Sequence, residues 1–409
     1  MENNEKTFKE IQKESSGSRR LAAAYIGYFG FGGQIASSTV LVHLPMLEPF
    51  VGGKLFSFCL GIATGISGNL VRLLVLIYGR KFTFALRVVL GSILSAIFAF
   101  GFYVIYACTD LSRLVDIPPE QQVGFWLGLL IALVGGMGNA QLLTTGYGMA
   151  SLMSVKNPAT NSLFFLGMAS ASACCWPIKT IMHAIISSNN PGLHLGIIMG
   201  ITSLISLSII PVFYFKLRQH TLVTTDKKRI TCKDASRVMK QTYVSNCLLW
   251  ITLLCTALVT PGQVMLWTLP ENSHTSDLKI YLSLCVYLGL LADAFGKLIC
   301  AVLALWETVF KRILDSRWTP RLIILLAVAR IVLMPFFYFP PFSGTSRFFI
   351  LITFGLLHGL IASMSLSLSS HRVAAADSDL AGYLGSFSIV NGLLVGSVAG
   401  MLVRLATTS

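Results

Sequence analysis

Residues 288–306 read LGLLADAFGKLICAVLALW, an apolar run broken only by Asp293 and Lys297. At 1.5 Å per residue, about 20 such residues in a helix cross the ~30 Å hydrocarbon core of a bilayer. The run is read as a membrane span with two charges deep inside it. A charge at the bilayer centre costs roughly 2.5–3.5 kcal/mol on insertion scales, so these two side chains are candidates for function.

The rest of the chain repeats the pattern. Of its 409 residues, 54% are hydrophobic and 12% charged, with a mean hydropathy of +0.73; soluble domains carry about 25% charged residues. Eleven spans are expected, at 21–44, 55–78, 86–107, 123–144, 159–183, 193–215, 244–268, 279–304, 321–340, 347–369 and 380–404. The fold class is an all-α polytopic membrane protein with eleven transmembrane helices. The first 20 residues are polar, so the first apolar stretch is expected to serve as a retained signal anchor. The nine cysteines follow neither disulfide-framework nor zinc spacing.

The formal charge of +14 is distributed by topology. Lys6, Lys9, Lys13, Arg19 and Arg20 precede the first span. The even-numbered connections hold Arg80, Lys81 and Arg87, then Lys156, eight cations between 216 and 240, Lys311, Arg312, Arg317 and Arg321, and Arg372. The opposite side has only Lys54, Arg113, Lys279, Arg347 and Arg404. The positive-inside rule therefore puts the amino terminus in the cytoplasm and the carboxyl terminus outside, with the plasma membrane the expected location. The chain divides into a cytoplasmic tail (1–20), a six-helix half (21–215), a basic cytoplasmic linker (216–243), a five-helix half (244–404) and an extracytoplasmic tail (405–409). No soluble domain of appreciable size remains, which removes most enzyme classes. Membrane lipid is the expected partner, not nucleic acid, and no cofactor is expected.

Polar residues within the spans carry the functional reading. Asp293 and Lys297 are four residues apart and share one helix face. They are either a buried pair that orients helices or a polar contact lining a cavity, where the carboxylate would accept from hydroxyls of a neutral solute. Arg330, mid-way along the ninth span, is the expected second partner of Asp293. Arg72 and Lys179 lie nearer helix ends and are expected to snorkel to the interface. Gln141 is a buried amide that needs partners, either a neighbouring helix or a heterocyclic base. His358 is the one histidine deep in a span, suited to helix packing or to a ligand. Gly392, Gly396 and Gly400 form a row that permits close helix approach. Pro261 and Pro335 remove backbone hydrogen bonds and are expected to kink their helices. The GGMGNA and GYGMAS stretches lie inside a span, without the strand–turn–helix context of a dinucleotide site.

Taken in order, these residues resemble the equilibrative nucleoside transporter family, in particular its short, divergent protozoan members. ADAFGK is similar to the family's Asp-x-x-x-Arg signature, with Lys297 in place of the arginine. CTALVTPGQV (255–264) resembles the seventh-span threonine and proline, at Thr256 and Pro261. ARIVLMPFF matches the ninth-span arginine and proline, Arg330 and Pro335. FGLLHGLIASMSLSLSS carries His358 where the family has asparagine before Gly359. SDLAGYLGSFSIVNGLLVGSVAG resembles the acidic start and glycine row of the eleventh span, and Gln141 falls where a fourth-span glutamine lies. The family's first-span Trp-Asn pair is replaced by Ser37 and Ser38.

The resemblance implies a major-facilitator-like arrangement of six and five helices. It also implies alternating access that moves purine or pyrimidine nucleosides, or nucleobases, down their gradients. Gln141 would contact the base, and Asp293, supported by Lys297 and Arg330, would accept from ribose hydroxyls. Alternatives are a carrier of organic anions, a proton-coupled nucleoside transporter, and a non-transporting receptor or scaffold.

Overall fold

The computed structural model describes residues 16–51, 54–78, 82–109, 122–155, 157–185, 191–221, 231–259, 275–338 and 344–408. Eleven long helices appear among them: α1 (Ser16–Leu47), α2 (Lys54–Tyr78), α3 (Phe84–Cys108), α4 (Val123–Ser154), α5 (Ala159–Ile185), α6 (Pro191–Val212), α7 (Cys232–Val259), α8 (Thr275–Leu305), α9 (Trp318–Leu333), α10 (Gly344–His371) and α11 (Ser378–Thr408). A short amphipathic helix, Glu307–Asp315, joins α8 to α9. Each expected span overlaps one long helix among the described residues. Among the described residues, ten helices are long and apolar enough to cross a membrane. The first helix, α1, has 32 residues but is not among the ten, its apolar run being broken by glycines, Gln34, Ser37, Ser38, Thr39 and His43.

The helices form two packed groups, α1–α6 and α7–α11. They meet where α2 lies along α11 and α5 along α8, with α4 against α11 and α10 against both α4 and α5. Leu142, Leu143, Phe164 and Leu249 belong to a core shared by both groups. Large apolar side chains such as Leu70, Leu130, Leu204 and Leu325 point outward along α2, α4, α6 and α9, the inverted surface a bilayer requires.

Two helices depart from their expected limits for identifiable reasons. Helix α7 starts at Cys232, inside the stretch read as linker. Its start is capped reciprocally: Asp234 N–H donates to Thr231 Oγ1 at 3.1 Å, and Thr231 N–H donates to Asp234 Oδ2 at 3.2 Å. Its first turns carry exposed Lys233, Arg237 and Lys240, so hydropathy registers only the apolar remainder. Pro261 lies outside the described residues. At Pro335 the ninth span breaks: α9 ends at Leu333, and a separate turn runs Pro335–Tyr338, because proline has no N–H for the ladder.

Close approach of helices rests on glycine at a few positions. Helices α8 and α10 cross at Gly296 and Gly359, where a Cβ on Gly359 would overlap the Asp293 carbonyl and lie 2.9 Å from the Lys297 nitrogen. The Gly392 and Gly396 faces of α11 press on the α7 backbone at Trp250 and Leu254, so this row packs α11 within its own half. Gly359→Val should cost at least about 1–3 kcal/mol by overpacking and lower the melting temperature in detergent. Gly289→Ala, whose Cβ would meet only Leu351 at 3.9 Å, should not lower it.

Candidate functional site

The crossing of α8 and α10 brings three polar side chains together. Lys297 Nζ donates to Asp293 Oδ2 at 2.7 Å, one helical turn away. His358, the neighbour of Gly359 on α10, places Nε2 3.8 Å from Asp293 Oδ1, beyond hydrogen-bond reach. Its other ring nitrogen, Nδ1, lies 3.3 Å from Thr256 Oγ1 on α7. Asp293, Lys297 and His358 are all at least nine-tenths buried. Among the described residues, Oδ1 of Asp293 has no hydrogen-bond partner. The carboxylate is thus neutralised on one oxygen and open as an acceptor on the other.

Arg330 does not pair with Asp293 as expected. Its Nη2 donates to Thr256 Oγ1 at 2.7 Å, its Nε to the Phe354 carbonyl at 3.2 Å, and its Nη1 to the Thr252 carbonyl. The guanidinium also sits 4.0 Å from the centre of the Phe354 ring. The arginine fixes α7, α9 and α10 together, and a chain of contacts through Thr256 and His358 links it to the carboxylate. Thr252 Oγ1 remains without a partner.

The other spanning cations are likewise engaged by neutral groups. Arg72 does not snorkel: it is 2% exposed and its Nε donates to Ser386 Oγ on α11 at 3.0 Å. Arg87, read as a loop cation, lies in the first turns of α3, buried, with Nη2 donating to the Tyr383 hydroxyl at 3.2 Å. Lys179 donates to the Val42 carbonyl of α1 at 3.1 Å.

Gln141 is not brought to this cluster by any described contact. Its Cβ packs against Gly91 on α3, and its Oε1 is buried without a partner. The amide that faces α1 is Asn139, two residues earlier and so on the other side of α4. Asn139 Nδ2 lies 3.1 Å from Ser37 Oγ and 3.4 Å from Gln34 Oε1, and all three residues are half-buried. The polar residues in QIASS (34–38) and NAQ (139–141) were its only sequence signal. Ser38, at the other position of the missing Trp-Asn pair, bonds Ser172 on α5 at 2.7 Å. From the first half, Phe165 closes over the ion pair, its ring centre 5.7 Å from Lys297 Nζ. Tyr147 packs edge-on against Phe164 and Phe165 at 4.9 and 5.4 Å.

Beyond Gly359, α10 carries a run of buried hydroxyls toward the Lys/Arg-rich end of the bundle. The Oγ atoms of Ser363, Ser365, Ser367 and Ser369 are buried without partners. At that end, hydroxyl and amide groups join the halves. Asn161 donates to Ser370 Oγ at 3.1 Å, Ser370 to Ser151 Oγ at 3.0 Å, and Ser378 to the Ser151 carbonyl at 2.5 Å. The signal for this feature was the SMSLSLSS run in an otherwise apolar span. Among the described residues no three His, Cys, Asp or Glu side chains converge to hold a metal ion.

The sequence matches no family model and no curated protein. The structure is similar to solved transporters. The Escherichia coli fucose:proton symporter FucP superposes with a TM-score of 0.57 at 12% identity, covering 95% of this chain and 93% of that one. A bacterial homologue of the iron transporter ferroportin, in an outward-facing state, gives 0.59 at 16% identity, covering 95% and 92%. A structure of FucP in its outward conformation, described as a Major Facilitator Superfamily transporter, gives 0.57 at 12% identity over 95% and 94%. The chain therefore has the major-facilitator fold, in the six-plus-five arrangement of an integral multi-pass membrane protein.

The ion pair makes a stability prediction of its own. Lys297→Met leaves a buried carboxylate without its cation and should destabilise the purified protein by about 3–5 kcal/mol. The double variant Asp293→Asn with Lys297→Met should regain most of that loss. A thermal melt in detergent distinguishes the cases; equal melting temperatures for the single and double variants would show that the two charges do not act as a pair.

Proposed function

We propose that this protein is a transporter of purine nucleosides or nucleobases, working by alternating access and facilitated diffusion. The observation that carries the proposal is Asp293: a buried carboxylate neutralised by Lys297 on Oδ2, with Oδ1 unpartnered. Such a group accepts hydrogen bonds from a neutral hydroxylated solute, and a buried acceptor left unmade costs about 1–3 kcal/mol. Ribose hydroxyls fit that requirement, as the resemblance of the surrounding motifs implies.

The first half supports the same reading. Gln34, Ser37 and Asn139 offer amide and hydroxyl groups suited to the edge of a heterocyclic base, and they are better oriented for it than Gln141, which faces α3. Phe165 and Tyr147 supply aromatic surface beside Lys297. Ser363 and Ser367, four residues apart, share one face of α10 between the site and the Lys/Arg-rich end, taken here as cytoplasmic. The halves meet there through hydroxyl and amide hydrogen bonds such as Ser370–Ser151. Each such bond contributes about 0.5–1.5 kcal/mol net, weak enough to be broken in a transport cycle.

At the Asp293 site an organic anion finds no free cation, since Lys297 is committed to Asp293 and Arg330 to two carbonyls and Thr256. Proton coupling is the second reading, favoured by His358 Nε2 lying 3.8 Å from Asp293 Oδ1.

Uptake of labelled adenosine and hypoxanthine, by cells lacking their own purine carriers, tests the proposal. Saturable uptake is expected, and Asp293→Ala should abolish it while the protein still reaches the membrane. No uptake of either compound despite surface expression would overturn it. An imposed proton gradient should leave the steady-state level of substrate unchanged; accumulation against the substrate gradient, lost in His358→Ala, would establish the proton-coupled reading instead.

A further inference from the structure

The connection between α8 and α9 has a role that solute transport does not use. The helix Glu307–Asp315 buries Phe310 and Leu314 against the bundle and leaves Lys311 and Arg312 exposed. Arg317 and Arg321 follow, both exposed. Two tryptophans flank the group, Trp306 at 64% and Trp318 at 70% exposure. The Arg321 guanidinium lies 4.9 Å from the Trp318 ring centre. Of the two acidic residues in the segment, Asp315 is engaged by His371 Nε2 at 2.8 Å. The local balance is strongly positive.

The position of this cluster identifies its partner. Directly beyond it, α9 presents Leu322, Ile324, Leu325, Val328, Ile331 and Val332 outward, and α8 ends in exposed Leu305. That apolar surface is where acyl chains lie, so the cations stand at the height of the headgroups. Exposed tryptophans at this boundary are the usual interfacial anchors, and basic side chains beside them attract anionic headgroups. We propose that the α8–α9 connection is a binding site for anionic phospholipid, with Lys311, Arg312, Arg317 and Arg321 around the headgroup phosphate and Trp306 and Trp318 at the glycerol level. A soluble anion would satisfy the cations but leave the tryptophans and the adjoining leucines without purpose.

The test is native mass spectrometry of the full-length protein, released from vesicles of equal phosphatidylserine and phosphatidylcholine. The wild-type protein should retain phosphatidylserine in clear excess. Replacing the cations by glutamine should lower that preference about fivefold per charge removed, so that the Arg317→Gln, Arg321→Gln double variant is already strongly impaired. Trp306→Ala with Trp318→Ala should reduce retention of both lipids. A melting temperature matching wild type in lipid-free detergent establishes that the variants are folded. Unchanged phosphatidylserine preference in a folded double variant overturns the proposal. So does displacement of phosphatidylserine by millimolar inorganic phosphate or inositol hexakisphosphate at constant ionic strength, which would mark a site for soluble anions.

Discussion

The close crossing of α8 and α10 at Gly296 and Gly359 is the constraint on which the candidate site depends. A side chain at Gly359 would run into the backbone of Asp293 and Lys297. With glycine there, the helices approach until His358 sits beside the carboxylate, and α7 completes the group through Thr256. Helix association in a membrane gains little from burying apolar surface, because lipid tails are equally apolar; packing and polar contacts decide it. The crossing supplies packing, and the polar contacts follow from its geometry.

The charges inside this protein divide by partner. Among the described residues Lys297 is the spanning cation that meets a carboxylate, while Arg330, Arg72 and Lys179 donate to carbonyls and hydroxyls. A guanidinium that spreads its charge over several neutral acceptors ties helices together without needing an acid of its own. Arg330 does this for α7, α9 and α10, and Arg72 joins the two halves through a single bond to Ser386. Asp293 is different in kind: it is an acid deep in a span, and its Oδ1 has no hydrogen-bond partner among the described residues.

Much of the fold was legible in the sequence because hydropathy and length report directly on bilayer crossing. The eleven helices, their order and the shared face of Asp293 and Lys297 all follow from runs and spacings. Azimuth between helices was not legible. Spacing places Arg330 at the right depth but does not say that its link to the carboxylate runs through Thr256 and His358. It places Gln141 mid-span but does not say that its Cβ lies against Gly91 on α3, leaving Asn139 to face α1. Arg87 was read as a loop residue because a cation near a span boundary is ordinarily solvated, whereas Phe84 and Tyr383 bury it here. The start of α7 was hidden because a polar amphipathic turn carries no hydropathy signal, although Thr231 and Asp234 already spelled its cap.

The central claim is that an uncharged, hydroxylated solute binds through the free oxygen of Asp293. Equilibrium binding of labelled adenosine to the purified protein tests it most directly, with adenosine 5′-monophosphate as the competitor that differs by one anionic group. Saturable binding is expected, displaced far better by unlabelled adenosine than by the monophosphate. Asp293→Asn should weaken binding about 10- to 100-fold, the worth of a hydrogen bond to a charged group. Equal displacement by both compounds, or unchanged affinity in a folded Asp293→Asn protein, would contradict it.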